Sequence, residues 1–243
     1  MVAQMVLDLH SSLSKPRLEA YRPPGGTDIE MIVNYFWNID LAEALVPSLH
    51  SFEVAVRNAI HNAMTGAYGT DMWFFEEGVL EPQQLKDFAT AYGRVYKKPA
   101  PISGRIVAQL MFGFWTSLLN APYEQRIWSP NNYRTLYVAF PYATQASGAR
   151  LTRLHIHDRL QMINEFRNRV FHYERLYEWN YTKGNPRLVN IRTADQDHAA
   201  IHDALKWLSP TLHEAIHAVD NFTNAWNSRS QVERDIKLRL GLP

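Results

Sequence analysis

Cysteine is absent from the 243 residues. That excludes disulfides, thiol chemistry and thiolate-ligated zinc. Long hydrophobic runs are missing too. No window approaches the roughly 18 consecutive apolar residues that a membrane-spanning helix needs. The N-terminal MVAQMVLDLHSS has neither the basic start nor the apolar stretch of a secretory signal. These absences lead us to expect a cytoplasmic protein with no membrane contact. An excess of one charge is also missing. Lysine and arginine total 25 against 24 aspartate and glutamate, a formal +1. Any attraction to nucleic acid must therefore be local. Strand-like alternation, internal repeats and low-complexity tracts are not found.

What is present is helical periodicity. Hydrophobic residues make up 46% of the chain, enough for a sizeable core. A segment from 1 to 26 forms a leader that ends in Pro23, Pro24, Gly25 and Gly26. Thr27 or Asp28 then caps a helix to about Ala67, with Phe52, Val56, Ala59, Ile60 and Ala63 at helical spacing. Gly66 and Gly69 close it. Pro82 opens a helix to about Lys98. Ser103 caps another to Leu119. Short helical pieces and loops fill 122–145. A long helix is expected from about Ala149 to Tyr181, broken by Gly184, Asn185 and Pro186. Asp195 to Ser228 reads as helix interrupted at Pro210, and Gln231 to Leu240 as a last short one. The expected architecture is one all-α domain over 1–243, with C-terminal helices from 187.

Glu165 to Glu174 reads E-F-R-N-R-V-F-H-Y-E. Arginine holds a phosphate through two parallel hydrogen bonds. Histidine moves a proton near neutral pH. Asn168 and His172 are four apart and share a helix face, as do Glu165 and Arg169, an ion-pair spacing. Arg167 and His172 are five apart, roughly 140° around a regular helix. They converge only at a helix end, at a bend, or through a second subunit, which would make a two-fold dimer. From Arg150 to Arg175, six arginines face Asp158, Glu165 and Glu174, a local basic excess. The plain alternative is a solvated set of salt bridges with a structural histidine.

Upstream, Glu53, Arg57 and His61 form a stripe at spacing four, with Asn58 beside them. The stripe is either an internal Glu53–Arg57 pair tethering helices or a support for the Arg167–His172 motif. His213-Glu214-Ala215-Ile216-His217 matches H-E-x-x-H, the pattern of zinc metalloproteases. Against it, no further histidine follows at the expected spacing, and a third ligand would have to be a residue such as Glu233.

The segment L-x-x-I-N-E-F-R-N-R-V-F-H-Y-E, ending at Glu174, resembles the signature of the abortive-infection (Abi-like) proteins of the HEPN superfamily. Ser51–His61 with Tyr68, Gly69 and Trp73, Pro16-Arg17, and Tyr35-Phe36-Trp37-Asn38 resemble the family's N-terminal half. The resemblance spans most of residues 16–176. It implies an all-helical HEPN-like bundle, often dimeric, that cleaves RNA without a metal or other cofactor. Arg167, Asn168 and His172 would be catalytic. Glu53, Arg57, Asn58, Arg169, Tyr173 and Glu174 would support the site or contact RNA. Relatives often carry two adjacent histidines, whereas here His172 is followed by Tyr173. The implied partners are RNA, a second copy of the chain and an antitoxin, in phage defence or a toxin–antitoxin pair. Some superfamily members are not nucleases, so a non-catalytic RNA-binding or dimerisation module stays open.

Overall fold

A computed structural model describes residues 2–97, 99, 102–130, 132–145, 147–182 and 189–241. The chain is all-α. Among the described residues the helices are α1 (Val2–Leu13), α2 (Lys15–Glu19), α3 (Asp28–Tyr68), α4 (Pro82–Val95), α5 (Ser103–Gln109), α6 (Phe112–Ser117), α7 (Arg134–Ala139), α8 (Arg153–Phe171), α9 (Ala194–Leu208), α10 (Pro210–His217), α11 (Phe222–Asn227) and α12 (Arg229–Arg239). One antiparallel ribbon, β1 (Trp179–Tyr181) and β2 (Asn190–Arg192), pairs Trp179 with Arg192. None of the helices is long and apolar enough to cross a membrane, among the described residues.

The residues divide into two compact units. The first holds Met1–Pro47, Phe166–Ala199 and Val219–Pro243, and the second holds Ser48–Glu165 and Ala200–Ala218. The first unit contains α1 and α2, so the leader segment is itself helical. Its core gathers Val6, Leu18, Tyr21, Met31, Ile32 and Tyr35. Trp37 stacks on Tyr177 at 5.3 Å and donates from Nε1 to the Ala225 carbonyl at 2.9 Å. Burying its indole is favourable because its one donor is satisfied.

The start of α3 follows from its sequence. The Thr27 hydroxyl accepts from the Glu30 N–H at 3.2 Å, and the Glu30 carboxylate accepts from the Thr27 N–H at 2.7 Å. This reciprocal box satisfies two orphan donors of the first turn. At the other end Gly69, at φ 71°, donates to the Thr65 carbonyl, and Gly66 stays inside the helix.

The second unit has an aromatic core. Phe74 stacks on Phe88 at 5.2 Å, and Trp73, Trp115 and Trp128 are fully buried. In α4, Gln84, Phe88, Ala91 and Val95 face inward at helical spacing. Pro82 stands in the first turn of α4, where its missing N–H costs nothing.

Three expectations are corrected. Ser103 does not cap α5; it is the first helical residue, and its hydroxyl donates to Asp71 at 2.6 Å. The helix expected from Ser103 to Leu119 is two, parted at Leu110, which adopts extended backbone. The long helix expected to reach Tyr181 stops at Phe171, and Trp179–Tyr181 is a strand whose Trp179 and Tyr181 are buried. Gly184, Asn185 and Pro186 lie outside the described residues. Pro210 does break the C-terminal run, and Ser209 caps α10 by accepting from the Leu212 N–H at 3.1 Å.

Candidate active site

The R-N-x-x-x-H motif covers the end of α8 and the first residue after it, His172, in the first unit. Arg167 donates from Nη1 to Asn168 Oδ1 at 3.3 Å, and its guanidinium lies over the Phe171 ring at 4.6 Å. The pairing orients the planar donor fork against an aromatic face. The His172 N–H donates to the Asn168 carbonyl at 2.8 Å, the last bond of the helix. Tyr173 then turns to φ 60°, in the left-handed region. Its N–H donates to the Val170 carbonyl at 3.2 Å, and the Glu174 N–H donates to the Arg169 carbonyl at 3.0 Å. This is the Schellman arrangement, with tyrosine where glycine is usual.

No local breaker ends α8, because neither glycine nor proline lies between Phe171 and Tyr181. Distant groups capture the carbonyls of the turn instead. Tyr21 Oη donates to the Tyr173 carbonyl at 3.2 Å, and Arg17 Nη1 donates to it at 3.4 Å. Asn38 Nδ2 donates to the Glu174 carbonyl at 3.0 Å, while its Oδ1 accepts from the Leu176 N–H at 2.7 Å. A strained residue persists where its surroundings over-determine it. Burial of the Tyr21 hydroxyl pushes its pKa up to about 12, so it remains a donor across physiological pH. Sequence reasoning missed these three as site residues. Arg17 and Asn38 lie in segments that carry the family resemblance, but no spacing rule links them to the turn.

His172 is exposed, and among the described residues its imidazole makes no hydrogen bond or ion pair. It is therefore presented outward from the helix end, beside the outward-facing rings of Phe171 and Tyr173. Arg169 makes different contacts. Its guanidinium pairs with Glu174 at 2.7 Å and lies over Trp179 at 4.7 Å, so it clips the turn to the ribbon.

Glu53, Arg57 and Asn58 lie on α3 in the second unit. The Glu53–Arg57 pair is not formed: Arg57 Nε is buried with no hydrogen-bond partner among the described residues. His61 serves the core. Its Nδ1 accepts from Trp73 Nε1 at 3.1 Å, and its ring stacks with Phe74 at 5.8 Å. Burial lowers its pKa, against a smaller opposing pull from Asp71, which suits the neutral acceptor that Trp73 requires.

The H-E-x-x-H residues lie on α10 in the second unit. The rings of His213 and His217 are parallel at 5.9 Å. His202 stands 5.3 Å from His213 and 5.9 Å from His217, centroid to centroid. Glu233, the third ligand considered from sequence, pairs instead with Lys237 and Arg229 on α12. The Glu214 carboxylate meets His213 Nδ1 at 3.0 Å, so it orients that ring.

Compared with protein-family models, curated proteins and solved structures, the chain matches none.

Proposed function

We propose that the chain is a metal-independent endoribonuclease with a HEPN-like fold. The observation that carries the reading is the end of α8. An arginine paired to an asparagine and an outward-facing histidine share one helix terminus there, beside exposed aromatic rings. The 2′-hydroxyl of RNA attacks the adjacent phosphorus, and His172 takes its proton. Arg167 stabilises the charge that builds on the phosphoryl oxygens, and Asn168 holds Arg167 in place. The 5′-oxygen leaves with a proton, giving a 2′,3′-cyclic phosphate and a 5′-hydroxyl. The motif offers one histidine per chain, and a second copy in a two-fold homodimer supplies another for the leaving group. The biological setting consistent with such an activity is cytoplasmic RNA cleavage in phage defence, restrained by an antitoxin.

The test is cleavage of labelled RNA in EDTA. Wild type cleaves. His172→Ala loses about 10²- to 10⁴-fold, and Arg167→Ala about 10²- to 10³-fold. Unchanged cleavage in either variant overturns the assignment. RNA binding without cleavage identifies a non-catalytic module instead.

A further inference from the structure

The turn after α8 forms one wall of a cavity of about 540 Å³ in the first unit. That volume is in the range of small-ligand sites. Phe171 belongs to both places: the Arg167 guanidinium lies over its ring at 4.6 Å, and it also lines the cavity. Tyr173 and Tyr35 add aromatic surface, and Ile39 and Val46 add aliphatic surface. Phe171 is 41% exposed and Tyr173 70%. Large rings held at a cavity mouth, one of them on a strained backbone, are suited to stacking on a planar ligand.

The polar lining narrows the choice of ligand. Tyr21 and Asn38 are spent on the turn, through the bonds to Tyr173, Glu174 and Leu176. Arg17 gives the turn one N–H and keeps others for a ligand. Glu43 also lines the cavity, and its carboxylate makes no hydrogen bond or ion pair among the described residues. A carboxylate only accepts. Among the four RNA bases, guanine alone presents two adjacent donors, N1–H and the 2-amino group, beside an acceptor, O6. Adenine and cytosine place a ring-nitrogen acceptor next to their amino group. Uracil places an oxygen on each side of its single N–H. Each of these would set a lone pair against Glu43.

We infer that this cavity takes the guanine base adjoining the scissile phosphate, stacked against Phe171 and Tyr173. Glu43 accepts from N1–H and the 2-amino group, and Arg17 donates to O6. The inference rests on the ribonuclease reading for the position of the phosphate. The stacking and edge contacts belong to the usual means by which unpaired RNA bases are recognised.

The experiment has two arms. In the first, binding of GMP, AMP, CMP and UMP to the full chain is measured by calorimetry. GMP binds at least about tenfold tighter than the others, and Glu43→Gln loses about 10- to 100-fold of that affinity, the worth of hydrogen bonds to a charged group. Circular dichroism confirms that this exposed-site variant folds. In the second arm, cut sites are mapped on an RNA of mixed sequence. They fall next to guanines in wild type and lose that bias in Glu43→Gln. Equal binding of the four nucleotides, or a guanine preference unmoved in Glu43→Gln, overturns the pocket assignment. Cleavage without base preference overturns the pocket and leaves the ribonuclease standing. Guanine selectivity without cleavage does the reverse.

Discussion

Tyr173 offers a test of why α8 ends where it does. Its φ of 60° is a conformation that side chains with a Cβ enter at a cost of about 1–2 kcal/mol. Replacing it by glycine or by alanine removes the same 70%-exposed ring in both cases. The difference between the two variants therefore isolates the backbone. Glycine escapes the steric cost but loses more chain entropy on folding, about 0.5–1 kcal/mol. Tyr173→Gly is expected to be more stable than Tyr173→Ala by about 0.5–1 kcal/mol, read from urea unfolding at constant slope. The corresponding difference in melting temperature is about 1–4 °C. Inside a regular helix the order is opposite: Ala89→Gly, at an exposed position of α4, costs about 1 kcal/mol. An alanine variant at 173 as stable as the glycine variant would refute the strain and the long-range capture that sustains it.

Three further outcomes follow from the geometry. Thr27→Ala removes half of the capping box at the start of α3 and costs about 1 kcal/mol in urea unfolding, with Thr27→Ser close to wild type. His61→Phe keeps the stack on Phe74 but leaves the buried Trp73 N–H unpaired, for a loss of about 1–3 kcal/mol. Burial lowers the His61 pKa in the folded state, so the unfolded chain binds the extra proton first. Its contribution is complete above the unfolded value of about 6.5 and is lost as pH falls below it. Unfolding midpoints from pH 7 to pH 5 should therefore decline more steeply in wild type than in His61→Phe. Arg169→Met breaks the Glu174 pair and the contact over Trp179, for about 1 kcal/mol of stability. On the proposed ribonuclease reading it leaves the salt dependence of RNA binding unchanged, whereas Arg167→Ala lowers that slope by about one.

The legible parts of the fold are those with local chemical signals. The T-x-x-E box marks the start of α3, Pro82 the start of α4, and Pro210 with Ser209 the start of α10. Gly69 marks the end of α3 because its positive φ suits a residue without Cβ. The β-ribbon escaped because three-residue strands are too short to show alternation, and its pairing joins residues across an intervening segment. The Ser103 helix was misdrawn because serine is equally at home as a cap and as a donor to Asp71. His61 and Arg57 shared a stripe in sequence, yet only packing shows that one serves Trp73 while the other keeps a buried, unbonded nitrogen. Likewise, H-E-x-x-H does not point to His202, which comes near only through packing.

The sequence by itself determined the helical class, the starts of α3, α4 and α10, and the residue types at the Arg167–His172 motif. Each of these depends on periodicity or on chemistry within one turn of helix. The tertiary structure alone decided that α8 stops at Phe171, that Tyr173 adopts a left-handed backbone, and that His172 stands at a helix end. The deciding hydrogen bonds come from Arg17, Tyr21 and Asn38, separated from the turn by 136 to 156 positions in the chain. Propensity reads neighbours, and no local rule encodes a carbonyl captured from that distance.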